Sequence, residues 1–179
     1  MRALVVYESM YGNTHAVATN IAAGLSATYE VTLVPVTRAS RELVAAADLL
    51  VVGGPTHMHG MSSASSRRMA AETAGKPGSA LSMDPDADGP GVRGWLGGIG
   101  AGRGLAAAFD TRLTGIPALT GRASRGIAAQ LKRHGYRLAA APESFLVSKQ
   151  SALLDGEAAR ARSWGALVGE EARSILAAA

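Results

Sequence analysis

Val5-Val6-Tyr7-Glu8-Ser9-Met10-Tyr11-Gly12-Asn13-Thr14-His15-Ala16-Val17-Ala18-Thr19-Asn20-Ile21 is the stretch from which the rest of the chain is read. The apolar run Leu4 to Tyr7 stops at a short polar turn that contains Gly12. A helical period starts at once, with Val17, Ile21 and Leu25 four apart and Ala18 and Ala22 between them. Strand, tight loop and helix start in so few residues form an anion site. The first helical amides lack intrahelical partners, and the helix dipole puts partial positive charge there. Ser9, Asn13 and Thr14 add side-chain donors, and Gly12 allows close backbone approach or a positive φ. The turn holds no Lys or Arg, so neutral donors are expected to hold the anion. No G-x-x-x-x-G-K-[ST] loop occurs. Gly98-Ile99-Gly100-Ala101-Gly102-Arg103-Gly104 lacks the spacing of a dinucleotide loop and precedes a strand instead of following one.

Outward from this stretch, the 179 residues are expected to form one domain, 1–179, with a Gly/Pro-rich loop or insertion over 74–104. Zero cysteines excludes disulfides, thiolate nucleophiles and Cys-held metal centres. Neither a signal-peptide pattern nor a membrane-length apolar run is visible, which sets the expectation of a cytoplasmic protein without a membrane association.

Strands are expected over Leu4–Tyr7, Tyr29–Val36, Leu49–Val52, Leu105–Phe109 and Tyr136–Ala141, the last resuming at Phe145–Val147. Pro35 marks the second as an edge strand. Gly53-Gly54-Pro55-Thr56 reads as a break after the third. Helices are expected over Thr14–Ser26, Ala39–Ala47, Ser62–Thr73, Val92–Leu96, Ala123–His134 and Glu157–Ala178, with Pro117–Gly121 as loop. The final helix carries the apolar stripe Trp164, Leu167, Val168, Ile175 and Leu176. Alternating strands and helices predict an α/β fold: a doubly wound, five-stranded parallel sheet of order 2-1-3-4-5, helices on both faces. Its switch point lies between strands one and three, where Ser9–Thr14, Pro55–Gly60 and Asp110–Thr114 converge.

The opening stretch resembles the flavodoxin signature: two apolar residues, an aromatic, Ser9, Gly12, Thr14, then Ala18 and Ile21 on the helix. Gly53-Gly54-Pro55-Thr56 with Gly60 looks like the second flavin-binding loop of that family, and Phe109-Asp110-Thr111-Arg112 like the third. Pro142-Glu143-Ser144-Phe145 and Trp164 resemble flavodoxin-domain proteins of actinobacterial type. The resemblance implies a flavodoxin-like fold, FMN as cofactor, and electron transfer through the bound flavin. It implies cofactor-binding roles for Ser9, Met10, Tyr11, Gly12, Asn13 and Thr14 at the phosphate. The second loop contributes Pro55, Thr56, His57, Met58, His59 and Gly60, and the third Asp110, Thr111 and Arg112. No residue is assigned a catalytic or metal-binding role. The chain lacks the Trp/Tyr pair with which many flavodoxins sandwich the flavin ring, so His57 or Met58 is expected on one face. An FMN-dependent NAD(P)H:quinone-type oxidoreductase, with 74–104 forming a pocket over the ring, is the alternative. A third reading is a flavodoxin-fold module that has lost its flavin.

Other features carry less. His57-x-His59 is half a metal site without a third ligand. Asp84-Pro85-Asp86-Ala87-Asp88-Gly89 copies the start of an EF-hand loop but has Trp95 where the bidentate Glu belongs, and reads as an acidic surface turn. The serine-rich start at Ser62–Ser66 reads as a helix N-terminus. Asp110 is expected to pair with Arg112 or cap a turn. Between Gly91 and Pro142 stand eight basic residues, Arg93, Arg103, Arg112, Arg122, Arg125, Lys132, Arg133 and Arg137, against Asp110 alone, in a chain of net charge +4. If these share one surface by the third loop, the partner is an acidic redox protein or a small anionic or quinone substrate. Nucleic acid is not expected, since no aromatic-interleaved motif accompanies the charge.

Overall fold

The computed structural model describes residues 1–87 and 89–178, with backbone alone at 117 and 118. The strands are β1 (Arg2–Tyr7), β2 (Glu30–Pro35), β3 (Leu49–His57), β4 (Gly60–Met61), β5 (Leu105–Leu113), β6 (Arg137–Leu138) and β7 (Glu143–Val147). The helices are α1 (Asn13–Leu25), α2 (Arg41–Ala46), α3 (Ala64–Ala74), α4 (Gly91–Leu96), α5 (Pro117–Thr120), α6 (Ala123–Arg133) and α7 (Glu157–Ala177), with a 3₁₀ turn at Val36–Arg38.

β2, β1, β3 and β5 pair in parallel in that order, and β5 then pairs first with β6 and later with β7. This is the expected 2-1-3-4-5 order, with the fifth strand in two pieces. β6 and β7 are separated by a stretch containing Pro142, which cannot donate to a ladder. β2 is the edge, as Pro35 indicates.

Alternation along the strands builds two cores, because successive side chains leave opposite faces of the sheet. Val5, Tyr7, Val51 and Phe109 join Val17, Ile21, Trp164 and Val168 under α1 and α7. Leu4, Val6, Leu50 and Val52 join Val92, Leu96, Ile127 and Leu131 under α4 and α6. The inner stripe of α7 is Ala161, Trp164, Gly165, Val168, Gly169 and Ala172. Leu167 and Leu176 of the expected stripe are exposed. The correction has a steric cause: α7 packs so close to α1 that small residues are required at the contact.

Two further expectations change. β3 does not break at Gly53-Gly54-Pro55-Thr56 but runs through it to His57, paired with β5 as far as Pro55↔Thr111. Gly53 is needed inside the strand, since a Cβ there would sit 2.1 Å from the Phe109 ring. The expected loop at Pro117–Gly121 holds the short helix α5. Ser40 caps α2 by accepting from the Leu43 amide at 3.3 Å, and Ser63 and Ser66 form a reciprocal capping box on α3. No helix among the described residues is long and apolar enough to cross a membrane.

Candidate functional site

The loop after β1 begins with Ser9, which is buried and accepts from the Gly12 amide at 3.1 Å. That bond closes the turn, and Gly12 takes a φ of 87°, a left-handed conformation that favours glycine. Gly12 is also the N-cap of α1 and supplies no capping side chain. The first helical bond runs from the Ala16 amide to the Gly12 carbonyl at 2.9 Å. The amides of Asn13, Thr14 and His15 therefore open outward without an intrahelical acceptor. Thr14 is buried and shares a 2.8 Å hydrogen bond between hydroxyls with Thr111 of β5, which fixes the first loop against the third.

A cavity of about 230 Å³ lies at these amides, beyond the carboxyl ends of β1, β3 and β5. Met10, Tyr11, Asn13, Thr14, Pro55, Thr56, His57, Thr111 and Arg112 of the sequence-derived set line it. Ser9 and Gly12 shape it from behind. Met58, His59 and Gly60 stand outside it, in and beside the β3–β4 turn. Met58 and His59 take positive φ values of 45° and 73°, which turns Met58 out to 78% exposure. Asp110 is also outside, for a definite reason. It faces α6, where its Oδ2 accepts from the Ser124 amide at 2.7 Å, while Thr56 accepts from the Ala123 amide at 2.8 Å. The expected pairing of Asp110 with Arg112 gives way to this helix-capping role. Arg112 donates to the Leu113 and Gly115 carbonyls and to Thr120.

The end of β7 and the loop after it complete the cavity with Val147, Lys149 and Ser151. Asn13 donates its side-chain amide to the Ser151 carbonyl at 2.7 Å, so it tethers this loop rather than only facing the cavity. Lys149 thus brings a cation to a site that the first loop alone furnishes with neutral donors. Nothing in the sequence near Ser9–Thr14 signals it, because the two segments lie more than a hundred residues apart. Tyr11 gives the cavity an aromatic wall, held by its hydroxyl to the Ala70 carbonyl at 2.9 Å.

His57 lies between this cavity and an open one of about 270 Å³ lined by Met58, Ser66, Met69, Ala70 and Thr73. Burial pushes the His57 imidazole below its ordinary range, with Glu8 acting in the opposite direction. A neutral ring at neutral pH follows. Glu8 is itself buried; it accepts from the Ser62 hydroxyl and from the Val92 amide, the latter at 2.8 Å. It thereby ties the first loop to α3 and α4. The acidic turn expected at the surface instead folds against α1. Asp84 is buried, 3.4 Å from His15 Nδ1, and Asp86 accepts from the Tyr7 hydroxyl at 2.9 Å. Asp88 of that motif lies outside the described residues.

The basic residues from Gly91 to Pro142 do not share one surface. Arg93 donates to the Met61 and Ser62 carbonyls, and Arg122 to Ser144 and the Pro142 carbonyl. Arg103, Lys132, Arg133 and Arg137 belong to the opposite end of the sheet, since α6 and β5 run between the two ends.

No curated protein matches the sequence. Solved structures that superpose on it include a flavodoxin from the domain Archaea, with TM-score 0.65 and 19% identity over 97% of this chain and 99% of that one. Oxidised flavodoxin 1 from Bacillus cereus gives 0.64 and 15% over 95% and 98%. A WrbA-like flavodoxin protein from Agrobacterium tumefaciens gives 0.57 and 20% over 97% and 98%. At these identities the likeness is one of fold. The family model described as flavodoxin matches residues 5–101, which hold the first and second loops and more than half of the 179 residues. The chain therefore belongs to the flavodoxin family.

Proposed function

We propose that the protein binds FMN in the cavity at the α1 N-terminus and transfers electrons through it. The observation that carries this reading is the set of outward-facing amides at Asn13, Thr14 and His15, uncapped by any side chain, at the mouth of a cavity that also receives Lys149. These groups fit a phosphate monoester: amides and the helix dipole contact its oxygens, and the ammonium offsets its second charge. When bound, the flavin supplies the redox chemistry. Thr14 and Thr111 hold the first and third loops in register, Tyr11 and Pro55 bound the cavity, and neutral His57 presents a hydrogen-bonding ring edge beside it. At about 230 Å³ the cavity is smaller than the roughly 300–1,000 Å³ of pockets that enclose a ligand. A flavin seated here keeps an edge open to solvent, as an electron carrier requires.

The second cavity favours a second reading. It adjoins the first through Thr56 and His57 and is bounded by α3, so a small acceptor could stack there as in an NAD(P)H:quinone-type reductase. Residues of α3, and not the 74–104 segment, would form that pocket.

FMN titration followed by the visible spectrum tests the first reading. Lys149→Gln removes a cation from the phosphate while leaving the Thr14–Thr111 tie between the loops in place. Each charged contact is worth about 1.5–3 kcal/mol, so FMN should weaken by tenfold or more while riboflavin is unchanged. Equal losses for both would sink the placement. Bleaching of the bound flavin by NADH or NADPH, with reoxidation by a quinone, separates reductase from carrier.

A further inference from the structure

Ile99 and residues 101–104 of the glycine-rich segment, with no part in the flavin site, line a cavity of about 300 Å³ with Arg41, Val44, Ala47 and Tyr136. It lies where β3 and β5 begin, at the end of the sheet opposite the proposed flavin. β5 is nine residues long, so about 26 Å separates the two ends at 3.3 Å per residue. We propose that this cavity is a second ligand site, for a small phosphate ester with an apolar or planar body.

Three observations converge on it. First, the segment is shaped around the cavity. Gly102 donates to the His134 carbonyl at 2.6 Å and lies so close to the Tyr136 ring that a Cβ would sit 2.1 Å from it; Gly100 takes a φ of 79°. Of the lining residues, the amides of Ala101, Arg103 and Gly104 donate to no group among the described residues. Successive unpaired amides in a glycine-rich turn are anion-binding groups. Second, charge gathers here. Arg41 and Arg103 line the cavity, exposed and without a carboxylate partner among the described residues. Lys132 and Arg133, in the last turn of α6, and Arg137 on β6 stand around the same end. Third, Val44, Ile99 and the Tyr136 ring give it apolar walls, which suit the body of an ester better than a bare inorganic ion. A ligand this far from the flavin cannot exchange hydride with it, so the site would serve an effector or tethering ligand instead of a substrate.

Isothermal titration of the full chain with AMP, adenosine and inorganic phosphate, with and without FMN, tests the proposal. AMP should bind more tightly than either fragment, and equally well with FMN present. Arg41→Ala with Arg103→Ala should weaken AMP by about tenfold or more, through loss of two charged contacts, and leave the thermal transition and FMN affinity unchanged. Both arginines are exposed, so the variant is expected to fold. No heat with AMP, equal binding of adenosine, unaltered binding by the variant, or competition between AMP and FMN would each overturn it. The last outcome would place AMP at the Ser9–Thr14 loop.

Discussion

Asp110 shows how one residue at the end of a strand can be diverted from a site to the frame around it. Its side chain is fully buried and Oδ2 takes the Ser124 amide; among the described residues neither Oδ1 nor the buried Ser124 hydroxyl has a partner. Burial pushes the carboxyl above its ordinary 3.8, with the hydrogen bond from the Ser124 amide opposing. The native state thus holds the proton more tightly than the unfolded chain. The resulting stabilisation is present below that ordinary value and is lost as pH rises through the raised one. Where the carboxyl is ionised, its buried charge is a liability. Asp110→Asn keeps an acceptor for the Ser124 amide and offers an NH₂ to the unpaired hydroxyl. Thermal denaturation should show a gain of about 2–4 °C at pH 7, roughly 1 kcal/mol for a chain of this size, shrinking toward pH 3. Asp110→Ala, which uncaps α6, should lose stability at both. An Asn variant that melts lower at pH 7 would contradict this account.

At the scale of elements, the contact between α1 and α7 depends on two glycines. A Cβ on Gly24 would lie 2.1 Å from the Arg162 carbonyl oxygen, and one on Gly165 would lie 2.3 Å from that of Ile21. Backbone meets backbone, so neither helix can yield by a rotamer change. Gly→Ala in an open helix stabilises by about 1 kcal/mol; here Gly165→Ala should instead cost about 1–3 kcal/mol by forcing the helices apart. Gly126→Ala in α6, where the new methyl meets only the flexible end of Met61 at 3.2 Å, is the control and should be near neutral. Urea unfolding of the two variants decides it, and equal midpoints would refute the packing argument. Trp164 of α7 meets Phe109 of β5 and Phe145 of β7 in an edge-to-face cluster with centroids 6.1–6.3 Å apart, so displacing α7 loosens β5 and β7 beneath the candidate site.

Across the whole molecule, charge and apolar surface are unevenly placed. Lys149 and exposed Leu113 line the proposed flavin cavity, exposed Met58 and Met69 line the one beside it, and Arg125 stands in the first turn of α6, whose Ala123 amide is bonded to Thr56 of the same lining. Cations beside exposed apolar side chains suit an acidic redox partner. Arg122 is unsuitable for testing this, since it holds Ser144 and the Pro142 carbonyl; Arg125 is exposed and free for reversal. Oxidation of the reduced, FMN-loaded protein by ferricyanide, a small anion, should slow as salt rises from about 0.02 to 0.2 M. Arg125→Glu, which leaves the proposed phosphate contacts intact, should slow it at low salt and flatten the dependence. Stopped-flow rates indifferent to both would show that charge does not guide encounter.

What the sequence determined by itself was local or periodic. Apolar runs ending in Ser9–Thr14 and Gly53–Thr56, the helical spacing after each strand, and Pro35 on β2 carry the fold class and the strand order. They do so because period and turn chemistry act over a few residues. The tertiary structure alone decided which groups face the cavity. Lys149 arrives from a loop far along the chain, Asn13 is drawn to Ser151, and Asp110 turns to α6 because that helix start sits on its side of the strand. The basic segment likewise divides between two ends of the molecule, since β5 and α6 each run the length of the sheet. Sequence spacing fixes what a residue can do; the side of a strand it leaves from, and what packs there, fixes what it touches.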